Sequence, residues 1–504
     1  MLSQSRQPAS VPPARRDHVL LHNVSYLSGS LIVTSFVTAV WTLFVPRRIG
    51  PHGMGLIVMA WTVSNILGAV WSLGMRTLLV REIAADPGRA AELIGGAMLI
   101  RLASIVPCLA MTALYVLLGH FGHEQALVVY LATGVAVCIL LSDPLLAAFQ
   151  AIERMQYLAY ADILNKTLLS VCGITLVLTG FGATTLVGLM FAAAAAVLGL
   201  NLLWSRRYFS IDWHIDLARL RALTRESLPY WSYALFYNFY IWVGAALLAV
   251  LAPTAVVGWY GGPSRLLGSL MFVPVILSTA WLPRLVAAFG DGPGHLKHLA
   301  RLPTEQIMIL SLPITVGAAL TARPLIHFLY GAAYAPSVPI FIILVLTVVP
   351  TYFNIATYQI LVACKRQATW TRVLGMSCLI NPTLNAILIP QFQQRLHNGA
   401  IGAALSLLMT ELIQNGVGLW VVRSYLQRET LVRLGRSGIA TLGMAGVVLS
   451  VAHLGLAAQI LGGGFSFIVL GLLVGLATPD ERQLVQGFLD RWPIASRLKR
   501  LLAW

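Results

Sequence analysis

"GWYGGPSRLLGSLMFVPVILSTAWLP", residues 258–283, is an apolar run that carries one permanent cation, Arg265. About 20 apolar residues let a helix cross the hydrocarbon core of a bilayer, and this run has them. It is not alone. Fourteen such runs can be read, at 24–46, 54–75, 93–118, 125–148, 158–180, 184–204, 229–252, 259–283, 304–325, 337–362, 373–390, 399–422, 437–456 and 459–478. Their lengths suit helices, because the strands of a membrane barrel alternate over only about ten residues. The expected fold class is all-α: a polytopic membrane protein with about 14 transmembrane helices.

Composition agrees. The 504 residues are 58% hydrophobic and 10% charged, with a mean hydropathy of +0.80. A soluble domain carries about 25% charged residues. So little charge cannot keep a surface in water, and no long polar stretch remains for a separate soluble domain. Residues 1–23 are polar and basic, with no apolar core leading to a small-residue cleavage site, so they read as a cytoplasmic tail. Cys108, Cys138, Cys172, Cys364 and Cys378 fall in or beside apolar runs and read as packing residues. His120 and His123 form an HxxH in a short loop, a solvated pair rather than a metal site. No phosphate-cradling loop, metal-ligand set or nucleophile motif is present, so no metal, cofactor or enzymatic activity is expected.

The net charge of +16 would suit a nucleic-acid binder, but its distribution argues for topology. With the N-terminus in the cytoplasm, alternate segments hold Arg76, Arg81 and Arg89, then Arg206 and Arg207, Lys365 and Arg366, and Arg423 and Arg428. The opposite side holds Arg47, Arg48, Arg323 and Arg395. Basic residues in short loops stay cytoplasmic, so both termini are expected inside, and nucleic acid is not expected as a partner. Two basic amphipathic stretches, at 216–231 and 486–504, read as anchors on the membrane surface. The expected organisation is a tail at 1–23, an N-lobe at 24–204, an amphipathic linker at 205–228, a C-lobe at 229–422, a helix pair at 423–478 and a C-terminal tail at 479–504. "AAFQAIERMQYLAYADILN" (147–165) resembles "QILVACKRQATWTRVLGMSCLIN" (359–381), which hints at two related six-helix halves.

Charges inside the membrane usually face a cavity or a partner. Asp162 and Lys166 are four apart, the spacing of an ion pair on one helix face. Arg101 reads either as snorkelling to the headgroups or as facing a cavity, and Arg76 either as a membrane-edge residue or as a cavity residue. Asp143 precedes Pro144 and reads as the cap of a broken helix. Glu411, Gln414 and Asn415 form a polar stripe, open to interhelical hydrogen bonding or ion coupling. Arg265, in a loop-to-helix region with few acids nearby, needs an anion or water. Its planar fork suits phosphate oxygens.

At these residues the chain resembles the polysaccharide and O-antigen flippases (Wzx type) of the multidrug/oligosaccharidyl-lipid/polysaccharide (MOP) exporter superfamily. Arg47 to Gly50, Gly55, Leu73-Gly74 and Arg81 to Ala84 match its opening helices, with Met54 where an aromatic is usual. Arg265 and Pro274, Tyr330-Gly331, Asn381, Asn385 and Pro390 match later ones. Arg76 and Arg265 fall where the related lipid II flippases carry cavity arginines. The resemblance implies two pseudo-symmetric six-helix lobes around a central cavity, a C-terminal helix pair, alternating access and a bacterial inner-membrane location. It implies an undecaprenyl-pyrophosphate-linked oligosaccharide as cargo. Arg265, Arg101 and Arg76 are then expected to hold the pyrophosphate, Asn165, Asn381 and Gln414 the sugars, and Asp162 or Glu411 a coupling ion. Membrane lipids, a polysaccharide polymerase and the chain-length machinery are the expected partners. The rivals are a lipid II flippase, a cation-coupled drug exporter, and a membrane enzyme. The short external loops, whose acid is Glu124, argue against the enzyme.

Overall fold

The computed structural model describes residues 13–214, 216–290, 293–423 and 428–476, and every regular element among them is helical. In chain order the helices are α1 (Pro13–Ser72), α2 (Met75–Ala85), α3 (Ala90–Leu118), α4 (His123–Ala151), α5 (Met155–Leu178), α6 (Ala183–Ser205), α7 (Leu217–Leu251), α8 (Thr254–Leu270) and α9 (Phe272–Gly290). They continue with α10 (Pro293–Leu320), α11 (Ala322–Tyr330), α12 (Ser337–Leu346), α13 (Val348–Ala363), α14 (Gln367–Leu396), α15 (Gly399–Val422), α16 (Arg428–Ser450) and α17 (Leu456–Leu473). Thirteen helical segments among the described residues are long and apolar enough to cross a membrane. They overlie every expected run except 24–46, which lies in the first part of α1, mostly where side chains are not described. The protein is a multi-pass membrane protein. Large apolar side chains such as Val106, Leu117, Leu379 and Leu442 stand exposed on helix faces, as a lipid-facing surface requires.

The chain forms two compact units. The first is Met1–Gly262 with Leu329–Pro336 and Leu374–Ser406, and the second is Pro263–Phe328, Ser337–Val373 and Leu407–Trp504. In the first, one core joins Met75, Leu78 and Ile83 of α2, Leu93 and Ala97 of α3, and Leu145 and Ala148 of α4. In the second, Leu285 and Ala288 of α9 pack with Ala300, Phe353, Ile360 and Val422. Gly50 (φ 70) sits between Pro46 and Pro51 and separates the first two expected runs within α1.

Three expectations need correction. The amphipathic stretch 216–231 is not a separate surface anchor: α7 runs through it into the seventh span, and Leu223 is buried in the α2–α3–α4 core. Asp143 does not cap a broken helix, because α4 continues across Pro144. Arg265 is not in a loop-to-helix region, because α8 begins at Thr254 and places it about 16 Å along the helix at 1.5 Å per residue. The stretch 486–504 lies outside the described residues. The internal resemblance has a backbone counterpart. Glu153 and Lys365 both take φ 58. The turns around them bond alike: Ile152 N to Ala148 O and Arg154 N to Phe149 O, and Cys364 N to Ile360 O and Arg366 N to Leu361 O.

Candidate functional site

The site begins at a helix break. After Ser72 the backbone passes through Leu73 (φ 47) and Gly74 (φ 65), both left-handed, before α2 starts at Met75. Only glycine fits at the second position. A Cβ on Gly74 would lie 2.6 Å from Trp231 N and 2.7 Å from Ser227 O of α7. The break leaves the last carbonyls of α1 without intrahelical donors. Trp231 Nε1 donates to Ala69 O at 2.9 Å. Arg101, reaching over from α3, donates to Trp71 O through Nη1 and to Ser72 O through Nη2, the latter at 2.5 Å. A cation at a helix C-terminus also meets the negative end of the helix dipole.

The Arg101 side chain has no exposed surface, and its Nη2 lies 3.6 Å from Asp143 Oδ2 on α4. A buried cation without a counter-charge is expensive; Asp143 supplies one. The same carboxylate serves a second guanidinium: Arg76 Nη1 donates to Asp143 Oδ1 at 3.2 Å. Arg76 Nη2 donates to Gln150 Oε1, also at 3.2 Å. Arg76, in the first turn of α2, is 44% exposed. It lines a cavity of about 340 Å³ within the first unit, together with Ser142, Asp143, Asp162, Asn165 and apolar residues of α4, α5 and α6. Lys166 pairs with Asp162 at 3.1 Å, the spacing expected on one helix face.

Of the expected site residues, the structure brings Arg76, Asp162 and Asn165 to one cavity. Arg101 lies beside it but does not line it: the guanidinium is sealed against backbone carbonyls and Asp143. Asn381 is buried, donating to Ser406 O at 3.4 Å and accepting from Asn385 Nδ2 at 2.8 Å. Arg265 belongs to the second unit and stands half-buried on α8. In that unit Glu411 is buried and accepts from Asn354 Nδ2 at 2.8 Å. The buried Gln414 has an Nε2 without a hydrogen-bond partner among the described residues. Sequence reasoning missed Ser142 and Gln150. The available signal was the polar "SD" inside an apolar run, with Gln150 seven residues after Asp143 and so on the same helix face. Among the described residues no group of three or more His, Cys, Asp or Glu could hold a metal.

Comparison with known proteins bears on this geometry. Residues 20–289 match the family described as polysaccharide biosynthesis protein. No curated protein matches the chain. Among solved structures, the lipid II flippase MurJ in an inward closed conformation is similar at TM-score 0.72 and 14% identity, over 92% of this chain and all of that one. An inward-facing multidrug resistance MATE family transporter of the MOP superfamily is similar at TM-score 0.59 and 15% identity, over 80% of this chain and 98% of that one. The eukaryotic MATE transporter AtDTX14 is similar at TM-score 0.51 and 15% identity, over 82% and 98%. The fold is that of the MOP-superfamily transporters.

Proposed function

Because this chain belongs to the polysaccharide biosynthesis protein family, we propose that it is a flippase rather than an enzyme. It moves an undecaprenyl-pyrophosphate-linked oligosaccharide from the cytoplasmic to the periplasmic leaflet of a bacterial inner membrane, by alternating access between two lobes, for export of a surface polysaccharide such as O-antigen. Both termini are cytoplasmic, as the placement of basic residues argues. Polymerase and chain-length machinery receive the product. The physical task is to carry a pyrophosphate and sugars past hydrocarbon that solvates neither. A polar cavity must replace their hydration, while the polyprenyl tail stays in lipid.

The observation that carries this reading is the half-exposed Arg76 on the wall of a cavity of about 340 Å³ shared with Asp162 and Asn165. Arg76 holds the pyrophosphate in the first unit's cavity, with Arg101 fixing the frame around Arg76, and Arg265 of the second unit is tested separately as a phosphate contact. Asn165, on the same cavity, bonds sugar hydroxyls, and Asn381 and Gln414 are further amides assigned that role. Asp162 or Glu411 serves a coupling ion, for which the membrane potential supplies about 2.3 kcal/mol per charge per 100 mV. The fold likeness to a lipid II flippase favours lipid II as a second cargo to test in the same assay. Fluorescent lipid-linked oligosaccharide in vesicles is scored for leaflet transfer with wild type, Arg76→Gln and Arg265→Ala. Loss of at least tenfold in each variant is expected, since a hydrogen bond to a charged group is worth about 1.5–3 kcal/mol. Full transfer by both folded variants removes the headgroup assignment. Transfer of no glycolipid by wild type removes the function.

A further inference from the structure

One carboxylate in the first unit serves two guanidinium groups that are not equivalent. Arg101 is sealed from solvent and tied to the Trp71 and Ser72 carbonyls as well as to Asp143. Arg76 is 44% exposed on the cavity wall. Its contacts to Asp143 and Gln150, both 3.2 Å, are longer than the roughly 2.7–2.9 Å of a tight charge-assisted bond. Arg76 is therefore the arginine able to change partners. A third feature lies beside the pair. Ser142 lines the same cavity, is 5% exposed, and its hydroxyl has no hydrogen-bond partner among the described residues. A helical serine can return its hydroxyl to the carbonyl one turn back. This one does not, and an unsatisfied buried hydroxyl is costly in a way that a ligand oxygen would relieve.

The geometry points to a counter-ion exchange: a pyrophosphate group entering the cavity takes Arg76 from Asp143 and accepts from the Ser142 hydroxyl, while Asp143 stays neutralised by Arg101. The inference rests on the flippase reading and gives its headgroup site two further residues, Ser142 and Asp143. Charge counting supports it. Asp162 and Lys166 cancel, so Arg76, Arg101 and Asp143 leave one net positive charge around the cavity. When an anion arrives, Arg101 and Asp143 remain a neutral pair and Arg76 faces phosphate, so no charge of the protein is stranded at any step. Release needs the reverse. Asp143 recaptures Arg76 and competes the headgroup off, which keeps binding firm enough to load yet weak enough to unload.

The test is titration of inorganic pyrophosphate into the full-length protein in lipid nanodiscs, followed by calorimetry. Asp143→Asn removes the internal competitor and is expected to bind about threefold more tightly, the worth of a partly exposed ion pair. Ser142→Ala is expected to bind about tenfold more weakly. Arg101→Gln, which never touches the ligand, also weakens binding, because Asp143 then closes wholly on Arg76. The double variant Arg101→Gln/Asp143→Asn, which has no charge to strand, recovers at least wild-type affinity and keeps the test valid if Asp143→Asn alone fails to fold. Equal or weaker binding by folded Asp143→Asn, or a double variant no better than Arg101→Gln, overturns the exchange. So does a wild type that binds no pyrophosphate at millimolar concentration. An isoprenyl pyrophosphate that binds more tightly than the inorganic ion supports a lipid headgroup as the occupant, and the opposite order overturns that occupant. Leaflet transfer with no tightening in Asp143→Asn removes the exchange and leaves the flippase standing. The full exchange signature without transfer of any glycolipid removes the flippase and leaves an anion site.

Discussion

Each compact unit contains a carboxylate held between two arginines, and the two arrangements differ most in how far the carboxylate is closed off. In the second unit Glu305 has no exposed surface. Arg301 Nε donates to it at 2.6 Å, Arg433 Nη1 at 2.5 Å and Thr430 Oγ1 at 2.8 Å. Arg433 also donates to Leu476 O at 3.0 Å, and Arg301 lies 3.7 Å from Glu429. In the first unit Asp143 meets its arginines at 3.2 and 3.6 Å and borders a cavity. Both are one carboxylate between two guanidinium groups. The dry cluster, in which Glu305 is buried, ties α10 to α16 through contacts of 2.5–2.8 Å, although Thr430 borders a cavity of its own and Arg301 is 20% exposed. The wet cluster leaves one arginine with room to exchange. On the proposed reading, solvent access to the carboxylate, rather than the presence of an ion pair, separates a structural tie from a functional site. That is why a count of intramembrane charges says little about function by itself.

The largest expected effect comes from breaking the dry cluster. Glu305→Ala removes the carboxylate that joins Arg301 to the buried Arg433, and breaking a buried pair costs about 3–5 kcal/mol. The expected outcome is a much lower midpoint of thermal unfolding in detergent, or loss of folded protein altogether. Folded Glu305→Ala with an unchanged midpoint would erase the distinction between the clusters, since it would show Glu305 to be as dispensable to stability as an exposed acid.

A smaller loss is expected where the wet cluster meets its backbone frame. Gly74→Ala places a Cβ at φ 65, against Trp231 N and Ser227 O. A non-glycine residue in such a conformation costs about 1–3 kcal/mol, and the close approach adds to it. The Ser72–Met75 break would shift, and with it the carbonyls that hold Arg101 and the first turn that carries Arg76. The expected outcome is a modest fall in unfolding midpoint with a larger fall in pyrophosphate affinity. A fall in midpoint with unchanged affinity would show that the break does not set the position of Arg76.

The fold could be read from the chain because apolar runs of fixed length have few solutions in lipid. Thirteen runs reappear as helical segments for that reason. The cavity was legible only in part. Asp162, Asn165 and Lys166 sit three and four apart, so one helix face collects them without any tertiary knowledge. Asp143 misled because its local context, Asp before Pro, suggests a cap. Its real partners are 67 and 42 positions away, Arg76 and Arg101. Arg101 misled for a related reason. Its neutralisation comes partly from backbone carbonyls at the end of α1, and no side-chain pattern records where a helix will end and leave them bare.

The smallest expected effect concerns the pair that was easiest to read. Lys166 and Asp162 are 3.1 Å apart and roughly equally exposed, at 39% and 41%. An exposed i,i+4 pair of this kind contributes about 0.3–0.5 kcal/mol, so Lys166→Gln is expected to leave the unfolding midpoint almost unchanged. Its electrostatic consequence is sharper. Removing the lysine uncovers Asp162 on the wall that Arg76 shares, and an uncancelled carboxylate there repels an entering phosphate. Pyrophosphate affinity is therefore expected to fall severalfold in Lys166→Gln and to return in Lys166→Gln/Asp162→Asn, with neither variant losing stability. If both variants bind like wild type, the charge of Asp162 does not reach the ligand. The wet cluster then narrows to Arg76, Asp143 and Arg101, the three residues whose arrangement mirrors Arg301, Glu305 and Arg433.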